Sequence, residues 1–321
     1  MMKLLFVDHE CHRKTGSTGF LPEIVREAFD VTELYYANHY RTGAKRAAVN
    51  HDIVVSFEFL ISRWRFYLPG KRNIFIPMYD NEWASVWQWR RIAWSGIGVI
   101  SFCDKVSAHA RRCGVKNILD VRYFPECDGG CWPQCDPKRV FLWERGEISR
   151  LTAERLFPPE AGYSFDVKRA DEFLSREEYF KRMSRCGIVI APRSKEGIGM
   201  AFLEAMALGR CVVAHDDATM NEYITHGENG ILFQLAAPKP VDEAMVRHVL
   251  ENVSRSAAEF RDRWLQDKAK INTFIADQRP CNPSFVCRFK MALSYPLFLL
   301  EGVVHVLKDR LAKATNARAV K

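Results

Sequence analysis

Two glutamates, a few basic residues and a pair of glycines carry the chemistry that this sequence offers. Glu196 stands in the run Arg193-Ser194-Lys195-Glu196-Gly197-Ile198-Gly199-Met200, and Glu204 follows eight positions on. Carboxylates accept hydrogen bonds from hydroxyl groups. Backbone N–H groups where a glycine turn runs into a helix attract phosphate, because they are unpaired and the helix dipole adds to their charge. Gly197 and Gly199 let a ligand come close to that backbone with no Cβ in the way. Were the chain helical throughout, the two carboxylates would be about 12 Å apart at about 1.5 Å per residue. That span suits a ligand with a hydroxyl-rich group at each end and a diphosphate between them, which is the shape of a nucleotide sugar. The competing reading is an ordinary strand, turn and helix with two solvated acids, and a lone Gly-x-Gly does not separate the two.

The elements that must hold these residues are legible around them. The apolar run Ile188 to Ala191 predicts a strand, Met200 to Leu208 a helix, and Cys211 to Ala214 the next parallel strand. Gly209 falls where a left-handed residue would end the helix. Upstream, Lys3 to Val7, Asp52 to Phe57 and Ile74 to Pro77 read as buried strands and Val31 to Tyr36 as a further strand, with a helix over Pro22 to Phe29. Further on, Val99 to Ser101 and Asn117 to Tyr123 read as strands around a helix from Cys103 to Cys113. Arg139 to Trp143 and Tyr163 to Val167 are expected strands, and Val241 to Ala276 a helix with interleaved charges.

The order and spacing of Glu196-Gly-x-Gly, Leu203-Glu204-Ala205-Met206-Ala207-x-Gly209, Val212-Val213-Ala214, Glu222-Tyr223-Ile224 and Gly227-x-Asn229-Gly230 resemble the donor-binding half of retaining glycosyltransferases of the GT-B fold. The nearest group is the large family four, which includes many builders of lipopolysaccharide and capsule. The resemblance is dense over about fifty residues and patchy elsewhere. It implies an α/β chain of two Rossmann-like domains facing across a cleft, with a C-terminal helix crossing back. It also implies retention of anomeric configuration, no metal and no cofactor beyond the nucleotide-sugar donor. By the same resemblance Thr15-Gly16-x-x-Gly19 occupies the place of a glycine-rich loop facing that cleft, and Arg145 that of a basic residue on the donor diphosphate. Met78-Tyr79-Asp80 stands where many members carry His-Asp beside the donor sugar; Tyr79 replaces the histidine, and Asp80 is the better candidate.

A chain of 321 residues has room for two ordinary domains. The expected division is 1–126 for an acceptor-side domain, 127–138 for a hinge rich in Gly, Pro and Cys, 139–284 for a nucleotide-sugar-binding domain, and 285–321 for a basic amphipathic tail. With 48% hydrophobic and 27% charged residues the composition is that of a soluble globular protein. No signal peptide and no apolar run of membrane-spanning length is visible, and the ten irregularly spaced cysteines look reduced. The expected address is cytoplasmic. A net charge of +8 calls for anionic partners: nucleotide sugar, acidic lipid or nucleic acid. No nucleic-acid motif accompanies it, so nucleic acid is not an expected partner.

Several features stay open at this level. Trp83, Trp87 and Trp94 share a helical face, and fit either a core or, with Arg63, Arg65, Arg90 and Arg91, an exposed surface near acceptor or lipid. His9, Cys11 and His12 do not reproduce a zinc spacing, and neither do Cys127, Cys131 and Cys135. From Arg288 to Lys321 seven basic residues face two acids among Tyr295, Leu297, Phe298 and Leu299, with Pro296 interrupting an otherwise helical stretch. That pattern suits packing, or a helix on an anionic lipid surface.

Glycosyl transfer would use these residues in distinct roles. Arg145, Lys195 and the N–H groups around Gly197, Ile198, Gly199 and Met200 would meet the charge building on the leaving diphosphate. Glu196 would act at the sugar and Glu204 at the ribose, while the acceptor proton would pass to the leaving phosphate or to Asp80. No Asp-x-Asp triplet is present to hold a metal-bound diphosphate. A glycan or lipid-linked glycan is the expected acceptor. A nucleotide-sugar epimerase or phosphorylase of the same fold is the first alternative, and a basic nucleic-acid binder with a cysteine metal site a distant one.

Overall fold

The buried apolar runs read from the sequence become the strands of two parallel sheets. A computed structural model of the chain describes residues 1–36, 45–58, 67–80, 85–126, 135–145, 147–169, 171–172, 174–304 and 307. The chain divides into two units. Met1–Ser101, Lys105–Asp120 and Lys270–Lys321 form the first, Phe102–Asp104 and Val121–Ala269 the second.

In the first unit the elements run β1 (Lys3–His9), α1 (Glu10–Thr15), α2 (Phe20–Arg26), β2 (Asp30–Tyr36), β3 (Ile53–Phe57), β4 (Arg72–Ile76), α3 (Val86–Ser95), β5 (Gly98–Ser101), α4 (Asp104–Arg112) and β6 (Ile118–Asp120). All pairings are parallel, in the order β2-β1-β3-β4-β5-β6. Leu4 to Asp8 of β1 and every residue of β3 are buried, as expected of strands covered on both faces. After β1, the residues leading into the expected glycine-rich loop fold into α1, for which no helix is expected from the sequence. This helix buries nothing, so it has no apolar period to betray it; the His9 side chain, accepting from the Cys11 N–H, starts it.

In the second unit β7 (Asp136–Trp143), α5 (Arg150–Leu156), β8 (Ser164–Lys168), α6 (Arg176–Ser184), β9 (Cys186–Ile190), α7 (Met200–Ala207), β10 (Cys211–His215), β11 (Ile231–Phe233) and α8 (Glu243–Asp277) follow in order. This sheet is also parallel, ordered β11-β10-β9-β7-β8. β7 begins inside the stretch expected as a hinge. Arg122 is buried and pairs with Glu222 at 2.9 Å and with Asp104. Glu222 in turn accepts from the Asp104 N–H, and Asp267 accepts from the Arg122 N–H at 3.0 Å. This network ties segments far apart in sequence.

The chain returns to the first unit with Lys270–Lys321, which includes α9 (Phe285–Leu293). Residues 295–304 are again helical, with the break at Ser294 just before Pro296; proline is tolerated in a helix's first turn, where its missing N–H has no partner to lose. Polar groups fasten this tail. The Arg91 guanidinium donates to the Met291 carbonyl and to Ser294 Oγ at 3.1 Å, and lies over the rings of Tyr295 and Phe298. Glu301 accepts from Ser85 Oγ at 2.6 Å and from the N–H groups of Val86 and Trp87, capping α3. Of the two readings left open for this tract, Arg91 follows the core one: it is 1% exposed, and its pKa is pushed down to about 10 by burial. The fully buried tryptophan of α3 is Trp89, between the half-buried Trp87 and Trp94. Trp83, Arg63 and Arg65 lie outside the described residues.

Met291 of the tail is buried, but a second set of its apolar side chains points outward. Phe285, Phe289, Leu293 and Leu300, spaced by fours and a seven, are 75%, 54%, 63% and 60% exposed. No helix among the described residues is long and apolar enough to cross a membrane.

Candidate active site

In the second unit, the loop after β9 runs into α7 through Gly199, whose φ of +82° and place in front of Phe202 both demand glycine. A Cβ there would sit 1.9 Å from the Phe202 ring, which is itself fully buried. No side chain caps α7 at this end; the Phe202 and Leu203 N–H groups turn back to the Gly199 carbonyl, which leaves those of Met200 and Ala201 to solvent or ligand. Gly209 closes the helix in the left-handed conformation, with φ +73° and the Arg210 N–H returning to the Ala205 carbonyl.

The two glutamates of the site are not solvated acids. Glu196 is 8% exposed and Glu204 4%. Glu196 lies in the loop rather than on a helix, so only Glu204 is carried by α7, and the separation reckoned for a continuous helix does not apply. The Glu196 carboxylate has Arg193 at 3.8 Å, and its carbonyl accepts from Thr219 Oγ1 at 2.8 Å. Thr219 is fully buried and holds φ +72° and ψ −57°, a strained conformation for a β-branched residue.

Glu204 accepts from Arg176 Nη2 at 3.0 Å. Desolvation pushes its carboxyl up from 4.5 to about 7, against the lowering effect of Arg176. Arg176 opens α6 behind the Ser175 cap and lies over the Phe180 ring. A single phenol senses most of this charge. The Tyr179 hydroxyl, whose pKa is raised chiefly by desolvation, lies in the fields of Glu204, Glu196, Arg176 and Arg145. Its ring meets Phe141 and Trp143 edge-on at 5.7 and 5.9 Å. Arg145 lies over the Trp143 ring at 4.6 Å, and Lys168, the last residue of β8, approaches the same ring at 4.1 Å. Lys168 is buried, and burial lowers its pKa.

The second unit thus brings Glu196, Glu204 and Arg145 around one aromatic group. Gly197 and Ile198 are buried in the same loop, Met200 is half-buried at the head of α7, and Lys195 is exposed. Arg176, Lys168, Tyr179 and Thr219 belong to this site and were not singled out from the sequence. The signal for Lys168 was its place at the carboxyl end of a parallel strand, where open α/β sheets bind ligands. Arg176 carried none, because its pairing with Glu204 depends on how α6 and α7 pack. Glu222, part of the motif that carried the resemblance, is taken up by the Arg122 network.

Two candidates lie in the first unit. Gly16 ends α1 with φ +67°. Asp80 follows β4, beside Tyr79, whose hydroxyl accepts from Lys105 Nζ at 2.7 Å. Among the described residues no group of three or more His, Cys, Asp and Glu could hold a metal ion. Cys135 is a free thiol, and Cys127 and Cys131 lie outside the described residues.

Residues 172–269 match the family model of the glycosyl transferases group 1, a segment that holds Glu196, Glu204, Arg176 and Thr219. The fold is that of solved GT-B glycosyltransferases. The structure of Anabaena Alr3699/HepE in complex with UDP and glucose is 14% identical, with a TM-score of 0.50 over 86% of this chain and 99% of that one. Sucrose-phosphate synthase (tll1590) from Thermosynechococcus elongatus is 10% identical, with a TM-score of 0.50 over 94% of this chain and all of that one. By sequence, no curated protein matches the chain. The family match supports a glycosyltransferase, and the structural likeness gives a GT-B, two-unit α/β fold.

Proposed function

We propose that the protein is a retaining, metal-independent glycosyltransferase that moves a hexose from a nucleotide sugar to a lipid-linked bacterial surface glycan, such as O-antigen or capsule, at the inner face of the cytoplasmic membrane. The observation that carries the reading is the pair of buried carboxylates, Glu196 in the loop before α7 and Glu204 within it, with Arg145, Lys168 and Arg176 around the same aromatic group. Buried charge is costly and persists where it has work to do or a partner to meet. In this reading Glu204 accepts from the ribose hydroxyls and Glu196 from the sugar. Arg145, Lys195 and the first-turn N–H groups of α7 offset the charge that builds on the departing diphosphate. The relative crystallised with UDP and glucose supports a uridine nucleotide as the first donor to try.

The lipid part of the reading rests on the tail. An amphipathic helix ordinarily turns its apolar stripe to the core. Here Arg91 and Glu301 fasten the tail by its polar side, and Phe285, Phe289, Leu293 and Leu300 face outward with Arg288 and Lys290 among them. Apolar side chains interspersed with bases suit an anionic bilayer surface. The test is transfer of radiolabelled sugar from UDP-, ADP- and GDP-sugars into a lipid-extractable product, with the Glu196→Gln variant alongside. Equal transfer by that variant removes Glu196 from the reaction. Conversion of the free donor sugar without any acceptor would replace the transferase reading by an epimerase.

A further inference from the structure

Thr219 holds a backbone that its own side chain does not favour. Its φ of +72° and ψ of −57° lie in the basin of the tight γ-turn, which is rare, and strained above all for a β-branched residue. Glycine would enter that region with no Cβ to clash. Strain of this kind persists only where the surroundings impose it, and it gathers at functional sites. Here the turn is fastened on both sides. The Asp217 carbonyl accepts from the Asn221 N–H at 3.0 Å, bridging the strained residue, and Asp217 Oδ1 accepts from the Ala218 N–H at 2.8 Å. Just beyond, the Ile224 N–H returns to the Met220 carbonyl at 2.9 Å, and the Tyr223 hydroxyl donates to the Tyr123 carbonyl at 2.8 Å. Glu222, in the same turn, is held by Arg122.

What the strained turn delivers is one hydroxyl group. Thr219 is fully buried, and its Oγ1 donates to the Glu196 carbonyl, 23 positions away in the chain, at 2.8 Å. β9 and β10 pair side by side, so the loops that follow them emerge together, and this bond ties one to the other. The Glu196 carbonyl lies outside the ladder of α7, which starts from the Gly199 carbonyl. The Glu196 carboxylate has Arg193 at 3.8 Å, longer than a hydrogen bond. A peptide group is planar, so holding its oxygen fixes the rotation of the Glu196 backbone from which that side chain departs.

We infer that Thr219 is a positioning residue for Glu196: its hydroxyl, delivered by the strained turn, fixes the Glu196 peptide and so sets where the carboxylate meets the donor's sugar. The inference rests on the reading in which Glu196 takes the sugar and Glu204 the ribose. All the groups it uses belong to the second unit. Its effect falls on the sugar end of the donor and spares the nucleotide end.

The experiment uses the full chain with UDP-glucose, ADP-glucose and GDP-mannose, each radiolabelled in the sugar, and bacterial membrane extract as acceptor source. The donor that the wild type uses fastest is kept. Two pairs of proteins differ by the hydroxyl: wild type against Thr219→Val, equal in shape, and Thr219→Ser against Thr219→Ala, both short of the methyl group. The second pair decides where the valine protein does not fold. A misplacement of about 1 Å costs up to about 10²-fold in rate. Thr219→Val and Thr219→Ala are therefore expected to lose about ten- to a hundredfold in transfer rate at saturating donor, and Thr219→Ser, which returns the hydroxyl, to recover most of it. Affinity for the matching nucleoside diphosphate, measured by calorimetry, is expected to change by less than about threefold in every variant, since Glu204, Arg145 and the head of α7 are untouched. Three results overturn the inference with the glycosyltransferase reading intact: hydroxyl-free proteins within about threefold of their partners in rate, a serine protein as slow as the alanine one, or diphosphate affinity that falls as far as the rate. The last of these means a collapsed loop rather than a displaced carboxylate. Glu196→Gln is run alongside, and transfer equal to wild type removes the reading itself. A wild type that turns over none of the three donors overturns the reading and the inference together.

Discussion

Replacing Glu204 by glutamine should make the protein more stable and a worse donor binder, and the gain should depend on pH in a defined direction. The Glu204 carboxyl is raised from 4.5 to about 7, chiefly by desolvation. The folded state keeps its proton over a range in which the unfolded chain has lost it. The favourable contribution of the protonated group is therefore complete below about pH 4.5 and is lost as pH rises through about 7. At about 1.4 kcal/mol per pH unit, the full cost of the ionised form is about 3 kcal/mol. The glutamine variant never carries that cost, and the Arg176 it leaves behind is mostly exposed and loses little. Urea denaturation should show a gain of up to about 3 kcal/mol at pH 8 and about 1 kcal/mol or less at pH 5. In the same variant, a charge-assisted hydrogen bond to the donor's ribose is gone, worth about 1.5–3 kcal/mol, so UDP affinity at pH 8 should fall by about ten- to a hundredfold. A variant destabilised equally at both pH values, or one that binds UDP as tightly as wild type, would refute the reasoning. The first result would mean that Glu204 is not held against its desolvation, the second that it does not touch the nucleotide.

Other outcomes follow from the same geometry. Arg176→Met removes the cation beside Glu204 that lowers its pKa, so the midpoint for UDP binding should move up by about one pH unit and affinity at pH 7 should drop by about fivefold, measured by calorimetry across pH 6–9. Gly199→Ala combines a left-handed backbone with a Cβ inside the Phe202 ring, and should cost about 2 kcal/mol or more of stability and abolish the UDP thermal shift; a fully bound, fully stable variant would show that the loop is free to rearrange. Arg122→Met leaves the half-buried Glu222 carboxylate with the Asp104 N–H but without its cation and should cost about 1.5–3 kcal/mol in denaturant unfolding, with the lost stability partly restored by adding Glu222→Gln. Phe285→Asp together with Phe289→Asp should abolish flotation with vesicles containing phosphatidylglycerol while leaving UDP binding intact; unchanged flotation would remove this face as the bilayer contact.

The sequence by itself determined the parallel α/β character of both units and the strand, turn and helix of the donor site. The reason is that these signals are local. A strand covered on both faces is a nearly continuous apolar run, as β3, broken only by Ser56, and β9 are, and a glycine with positive φ at the end of a helix announces itself at Gly209. Tertiary structure decided what the charged residues meet. Glu204 pairs with Arg176 across 28 positions, Arg91 is drawn into the core by a tail 200 positions away, and Glu222 is spent on Arg122. The short helix α1, with no buried face, brings His12 back onto Asp8. Each of these outcomes turns on desolvation and on a partner supplied by another element, and neither quantity is carried by the residue's own neighbours in the chain.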